Sequence, residues 1–288
     1  MEFRHFSDED YEAVCDFLIA LNRTDRRHIN WNWARFEWMY EHPEFDKSLR
    51  SSIGLWTEDG RVVGAAIYDM YFGEAFCGAL PAYADLYPEI LTFAYRELKD
   101  DDGLAIAIED GSAAEIEEAE RQGFVRTEQS ETIMKLDLDR KPVYALPEGL
   151  SLKSPHPVED AYAVQWLFWQ GFDHGGDRAE FERTETIRPQ VRRHFVQELS
   201  VCAANAEGEL VACCCLWMHP DTDYAYVEPV CTIPSYRGKG AARAVIYEAL
   251  NRARERGAKT AYVISDMEFY RKLGFEETSH HTFYRKNN

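Results

Sequence analysis

A chain of 288 residues, 45% hydrophobic and 14% aromatic, holds ample material for a buried core and exceeds what one ordinary domain needs. Its formal charge of −19 has the wrong sign for nucleic acid or an anionic membrane surface and favours a cationic partner such as an amine, although solubility alone also accounts for it. No run approaches the ~18 apolar residues of a membrane span, Met1-Glu2-Phe3-Arg4-His5 does not open a signal peptide, and the seven cysteines include no Cys-x-x-Cys, so reduced, buried thiols in a cytoplasmic protein without bound metal are expected.

In the first half the patterning predicts strands near 2–6, 51–57, 62–72, 76–84, 103–108 and 124–138, and helices near 8–21, 32–41, 88–99 and 113–122. The aromatic run from His28 to Tyr40 lies at helical spacing. Trp31, Phe36 and Trp38 are therefore read as core in preference to a platform for stacking a cation. Glu58-Asp59-Gly60-Arg61 reads as a tight hairpin turn. The polar, proline-containing stretch from Asp139 to Gly149 is the expected linker. The second half predicts strands near 150–154, 199–205, 210–218, 223–232, 259–264 and 275–286, with helices near 160–171, 187–196, 240–256 and 267–273. Cys213, Cys214 and Cys215 sit in an apolar strand, where neighbours face opposite ways and cannot readily pair. His280 and His281 point apart for the same reason, which makes a metal site there improbable.

Landmarks recur about 150 residues apart: Gly60 with Gly208, Gly123-Phe124 with Gly274-Phe275, and the strand at Phe3 with that at Leu150. A period of that length means duplicated domains, here 1–140 and 148–288. Each half mixes strands, hairpins and helices in an order that suits a mixed α/β sheet covered by helices.

The segment Val227-Glu228-Pro229-Val230-Cys231-Thr232-Ile233-Pro234-Ser235-Tyr236-Arg237-Gly238-Lys239-Gly240-Ala241-Ala242 carries the most chemistry. A strand ends at Ile-Pro, a glycine-rich basic turn follows, and a helix begins. Unpaired N–H groups at the positive end of a helix make an anion site. Gly238 and Gly240 allow close approach to the backbone, and Arg237 and Lys239 add charge. A pyrophosphate is the natural occupant. Neither the P-loop nor the Gly-x-Gly-x-x-Gly spacing is present. Downstream, Phe269-Tyr270-Arg271-Lys272-Leu273-Gly274-Phe275 forms a short helix ended by a left-handed glycine, with a phenylalanine returning to the core.

Arg237-x-x-Gly240-x-Ala242 after strand and proline, followed by Phe269 to Phe275, closely resembles the acyl-CoA signature of the GNAT superfamily of N-acyltransferases. The resemblance implies two tandem GNAT-like domains, each a mixed, mostly antiparallel sheet covered by helices. It implies acetyl-CoA as cosubstrate, cradled by Arg237, Gly238, Lys239, Gly240, Ala241 and Ala242, with pantetheine lying along the backbone of Val230, Cys231 and Thr232. Pro229 gives no N–H to a ladder, in keeping with the splayed strand of that family. The first half has Tyr83-Ala84-Asp85-Leu86-Tyr87-Pro88-Glu89 at the corresponding place, acidic and without Gly, Arg or Lys, so it is expected to be a degenerate copy. An asparagine common in the family is replaced by Ser265-Asp266-Met267-Glu268, which puts some CoA contacts in doubt.

Acyl transfer to an amine needs a base, an acid for the leaving thiolate and a held carbonyl. Tyr270 matches the family tyrosine beside the thioester sulfur and is the expected acid; Glu228, a carboxylate on an apolar strand, is the expected base, with an edge-exposed or ion-paired glutamate as the alternative. Cys231 lacks nucleophilic partners and is assigned to packing. The expected activity is direct transfer of acetyl from acetyl-CoA to a primary amine of a small molecule. The alternatives are a non-catalytic acyl-CoA sensor and a structural interaction protein that binds no CoA.

Overall fold

One ladder pattern is built twice in this computed structural model, which describes residues 1–24, 26–42, 45–188 and 192–288. Contacts divide the chain into a first unit (Met1–Met134, Ile264–Met267 and Glu277–Asn288) and a second (Lys135–Val263 and Glu268–Glu276). In the first, β1 (Glu2–His5), β2 (Gly54–Glu58), β3 (Arg61–Asp69) and β4 (Tyr71–Ala79) pair antiparallel in succession, and β4 pairs parallel with β5 (Leu104–Glu109). β6 (Val125–Asp137) lies at the far side of that sheet. In the second unit β7 (Ser151–Lys153), β8 (Ser200–Ala204), β9 (Leu210–Trp217) and β10 (Tyr224–Thr232) are antiparallel, and β10 is parallel to β11 (Thr260–Ile264). Both sheets are therefore mixed and mostly antiparallel. Helices α1 (Tyr11–Thr24), α2 (Trp33–Glu41), α3 (Tyr87–Glu97) and α4 (Ala113–Arg121) belong to the first unit. The second has α5 (Ala161–Gly171), α6 (Arg178–Thr184), α7 (Ala241–Glu255) and α8 (Glu268–Lys272).

The division along the sequence and the division in space differ in one respect. Residues 148–288 were expected as one domain, yet β12 (Glu276–Lys286) pairs antiparallel with β5 from His281 to Lys286 and stands between β5 and β6 in the first unit's sheet. A sequence period reports duplication; it carries no record of which copy's sheet a given strand joins.

The turns explain the element bounds. Asp59 (φ 49°) and Gly60 (φ 76°) form the two-residue hairpin whose positive φ angles match strand twist. β3 and β4 turn at Met70 (φ 59°) alone, and no Gly or Pro marks that turn. Both strands thus end earlier than the expected 62–72 and 76–84. Gly123 (φ 90°) and Gly274 (φ 87°) end α4 and α8 in the same way. Phe124 N–H donates to Ala119 O and Gly123 N–H to Glu120 O; Phe275 N–H donates to Tyr270 O and Gly274 N–H to Arg271 O. Both are Schellman closures, and Phe124 and Phe275 are each 2% exposed. The helix expected over 187–196 includes residues 189–191, which lie outside the described ones; Arg178–Thr184 is helical instead, because the Asp177 carboxylate accepts from Ala179 N–H and Glu180 N–H.

Most of the aromatic run is core, as its spacing indicates, although Trp38 is only half-buried. Asn32 caps α2 by accepting from Ala34 N–H and Arg35 N–H, and Trp31 and Phe36 are buried. The seven cysteines are free, all of them buried except half-buried Cys215. Among the described residues no helix is long and apolar enough to cross a membrane.

Candidate active site

β10 is the element on which the site is built. Its ladder with β11 covers only Tyr224, Ala225 and Tyr226. Its ladder with β9 is shifted between Val227 and Val230, then resumes at Val230↔Cys214, Cys231↔Cys213 and Thr232↔Ala212. Pro229 sits in the shift, and the Glu228–Pro229 peptide is cis. A proline cannot donate to a ladder, so a sheet can part there without stranding a donor. Among the described residues, β10 beyond Tyr226 has a strand partner on the β9 side alone. The Thr232 hydroxyl oxygen, buried on that stretch, has no hydrogen-bond partner in the protein.

Past β10 the chain makes a single 3-10 turn at Pro234–Tyr236 and enters α7. Gly238 (φ 72°) and Gly240 (φ 89°) are both left-handed, and a Cβ on Gly238 would meet nothing within 4 Å. Here glycine is required by conformation and the space beside it is open. Among the described residues, no backbone N–H from Gly238 to Arg243 donates to a protein acceptor; the helix's own bonding begins with Ala244 N–H to Gly240 O. These donors crowd the positive end of a fifteen-residue helix, and that is the physical definition of an anion site. Ala241 and Ala244 are buried beneath it, so the end of α7 sits close on its sheet. The Lys239 ammonium lies 5.2 Å from the Tyr236 ring centre.

Arg237, expected to add charge to the cradle, is held within the turn itself. Its guanidinium donates to Thr232 O (3.0 Å), to Gly171 O (2.9 Å) and to both Asp173 oxygens (2.9 and 3.0 Å). It ties the turn to the end of α5 and shares its charge with Asp173. Cys231 is a packing residue: its sulfur lies 3.7 Å from that of Cys213 and 3.9 Å from Leu167 O, within the cluster of Val164, Leu167 and Cys202.

Glu228 is half-buried, and its Oε2 accepts from the Tyr226 hydroxyl at 2.6 Å. Its carbonyl accepts from Trp217 Nε1 at 2.7 Å, which pins the backbone of the shifted segment. Tyr270 is buried on α8 between the rings of Phe269 (5.1 Å) and Phe275 (5.6 Å). Burial pushes its hydroxyl well above the usual phenol range, and the nearby Cys214 and Glu228 push the same way. The group stays protonated at any working pH. That Glu228 is felt electrostatically at Tyr270 ties the two expected acid–base residues to one neighbourhood.

The corresponding place in the first unit has a different surface. β4 leads into a 3-10 segment, Pro81–Leu86, and α3 begins with Pro88 and Glu89 in its first turn. Proline supplies no N–H and the carboxylate repels an anion. Glu58 and Glu89 are bound to Tyr83 and Trp56.

Sequence reasoning missed the other wall of the site. A cavity in the second unit is lined by Phe168, Phe195, Trp217, Arg192, His194 and Pro229, among others. Trp217 was legible only as an apolar strand residue, and Arg192 and His194 as polar residues in an expected helix. Nothing local in the sequence marks their convergence on Pro229.

Residues 159–275 match the family described as acetyltransferase (GNAT) family. Among solved structures, the chain is similar to a tandem GNAT protein from the clavulanic acid biosynthesis pathway (18% identity, 99% of this chain and 98% of that one, TM-score 0.63). It is also similar to a GCN5-related N-acetyltransferase from Sphaerobacter thermophilus (16%, 99% and 95%, TM-score 0.61), and to N-myristoyltransferase of Saccharomyces cerevisiae solved with myristoyl-CoA (14%, 99% and 77%, TM-score 0.54). At these identities the likeness is one of fold. No curated protein matches the chain.

Proposed function

Since residues 159–275 match the acetyltransferase (GNAT) family and the chain is similar in fold to a tandem GNAT protein, we propose that it is an acetyl-CoA-dependent N-acetyltransferase acting on a primary amine of a small molecule, with the chemistry in the second unit. The observation that carries this reading is the row of undonated N–H groups from Gly238 to Arg243, set where β10 has already parted from β11. The pyrophosphate belongs on those donors, from Gly238 through Lys239, Gly240, Ala241 and Ala242. Arg237 fixes the turn that presents them. The edge of Val230, Cys231 and Thr232 away from β9 offers backbone groups to the pantetheine amides, and the orphaned Thr232 hydroxyl has a partner to gain there.

The cosubstrate supplies an activated acyl group; the protein aligns and moves protons. The amine nitrogen attacks the thioester carbonyl, a C–N bond forms, and the C–S bond breaks. Glu228 receives the amine proton, directly or through water, and the Tyr270 hydroxyl protonates the departing thiolate. Burial keeps this phenol protonated, so its proton is in place for the step, and it also makes the phenol a weaker acid than one in water. No covalent acyl-enzyme is formed, in keeping with a Cys231 thiol packed in the core. The seven free cysteines suit a cytoplasmic setting.

Titration with acetyl-CoA and thioester consumption over an amine panel test the reading. Tyr270→Phe and Glu228→Gln should each lower kcat by about 10²- to 10⁴-fold while acetyl-CoA binding holds. Tight binding with no turnover on any amine would mean a sensor. Absence of binding would remove the proposal altogether.

A further inference from the structure

Four of the seven thiols share one face of the second unit's sheet. The ladders set Cys202 of β8 opposite Cys213 of β9, and Cys213 opposite Cys231 of β10, so three thiols form a row across three neighbouring strands. Cys215 stands two residues along β9 from Cys213 and, by strand alternation, on the same face; Cys214 points to the other. Directly opposed residues of an antiparallel pair bring their Cα atoms to about 4.5–5.5 Å, inside the span of roughly 4.4–6.8 Å that a disulfide needs. The sulfurs of Cys213 and Cys231 already lie 3.7 Å apart. Bulk alone does not call for sulfur here, since Ala204 serves in the same cluster.

The row can be reached. Cys202, Cys213 and Cys215 line the cavity of the second unit, and Cys215 is half-buried where the other three are buried. Hydrogen bonds from the Cys213 thiol first and the Ser200 hydroxyl next hold the Cys215 thiol below the usual range, against the effect of burial. Cys213 is held well above that range by its bonds to Cys202, Cys215 and Cys231 and by burial. The thiolate is the form that meets oxidants and disulfides.

We propose that this patch is a dithiol oxidation site for hydrogen peroxide entering by the cavity, with Cys215 the sulfur first oxidised and a Cys213–Cys231 disulfide the product. The Cys215 thiolate attacks the peroxide: an S–O bond forms, the O–O bond breaks, and the departing hydroxide takes up the thiol's proton as water. The Cys213 thiol then attacks the sulfur of the Cys215 sulfenic acid; an S–S bond replaces the S–O bond and a second water leaves. Cys231 attacks the Cys213 sulfur of that disulfide, and Cys215 departs, reclaiming the proton that Cys231 gives up. The exchange runs this way because the thiol of lower pKa is the better leaving group. Two thiols are oxidised and one peroxide is reduced to two waters. β10 beyond Tyr226 is laddered to β9 alone, so Cys231 has room to close on Cys213. The site operates whether or not the second unit transfers acyl groups.

The test treats the full chain with a small excess of hydrogen peroxide, blocks the remaining thiols with N-ethylmaleimide in denaturant and maps the product by non-reducing mass spectrometry. The expected product has lost the mass of two hydrogens, carries the Cys213–Cys231 linkage and regains all seven thiols with dithiothreitol. Cys215→Ser should slow its formation about 10-fold or more. Cys214→Ser, on the opposite face, should leave rate and linkage unchanged. Cys231→Ser should stop the sequence at a Cys213–Cys215 linkage. The map of the unsubstituted chain decides the matter even where a serine disturbs the core. The inference falls if peroxide yields no intramolecular disulfide, if the linkage joins another pair, if Cys215 runs on to sulfinic acid instead, or if Cys215→Ser slows the reaction no more than Cys214→Ser does.

Discussion

Gly171 closes α5 against β10, and one methyl group there should report on the whole arrangement. An alanine Cβ would lie 2.6 Å from Cys231 Sγ and 2.8 Å from Cys231 Cβ, well inside any real contact. Forcing that atom into a packed core costs about 1–3 kcal/mol. Alanine's better helix propensity offsets roughly 0.5–1 kcal/mol. Gly171→Ala should thus destabilise the protein by about 1–2 kcal/mol. Cys231→Ala alone removes one buried sulfur, a loss of about 1 kcal/mol. In the double variant the new methyl occupies the vacated sulfur position, although the Cβ contact remains and relief is partial. The cycle should therefore close with a coupling near 1 kcal/mol in the direction of rescue. Urea unfolding of the four proteins measures it. Additivity to within about 0.3–0.5 kcal/mol would refute the packing argument. Because the Gly171 carbonyl also holds Arg237, the single variant should raise the Kd for acetyl-CoA about 10-fold, and the double variant should recover part of that loss.

Two further outcomes follow from local geometry. Gly238→Ala should cost about 1–2 kcal/mol from its left-handed φ of 72° and should also raise the Kd for acetyl-CoA by about 10-fold or more. Gly208→Ala, at φ 83° and equally open, should cost the same stability and leave that affinity untouched; equal Kd values in the two would count against the anion cradle. In the first unit, burial and then the neighbouring Asp69 raise the Glu74 carboxyl from 4.5 to about 7. The folded state then holds a proton the unfolded chain releases, so this group's effect on stability worsens as pH climbs from about 4.5 to about 7 and levels off above. That gap is worth at most about 3 kcal/mol, and Glu74→Gln should flatten the pH profile and gain stability at pH 8; an unchanged profile would show that folding leaves the Glu74 pKa unshifted.

Much of this architecture is legible in the residues. The two Schellman glycines, the Asp59-Gly60 hairpin and the proline in β10 each act through their own backbone geometry, so sequence reveals them directly. The cradle is legible for the same reason, since its donors are main-chain groups placed by local turns. Arg237 is not: its long side chain reaches Gly171 and Asp173 across more than sixty positions, and nothing nearby in sequence selects that target. The cavity around Arg192 and Trp217 is hidden likewise, since it exists only once β8, β9 and β10 bring distant residues to one wall. The Met70 turn escaped because a non-glycine residue adopts a conformation that sequence patterns assign to glycine.

The position of β12 bears on how the molecule comes into being. A ribosome delivers β1 to β6 long before it reaches residue 276, and until then β5 and β6 lack the neighbour that lies between them. During synthesis the earlier unit must wait, with two bare edges, for a strand encoded beyond the later one. The first unit's sheet is thereby coupled to the end of the chain: a gene segment for residues 1–134 alone does not encode the strand that pairs with β5.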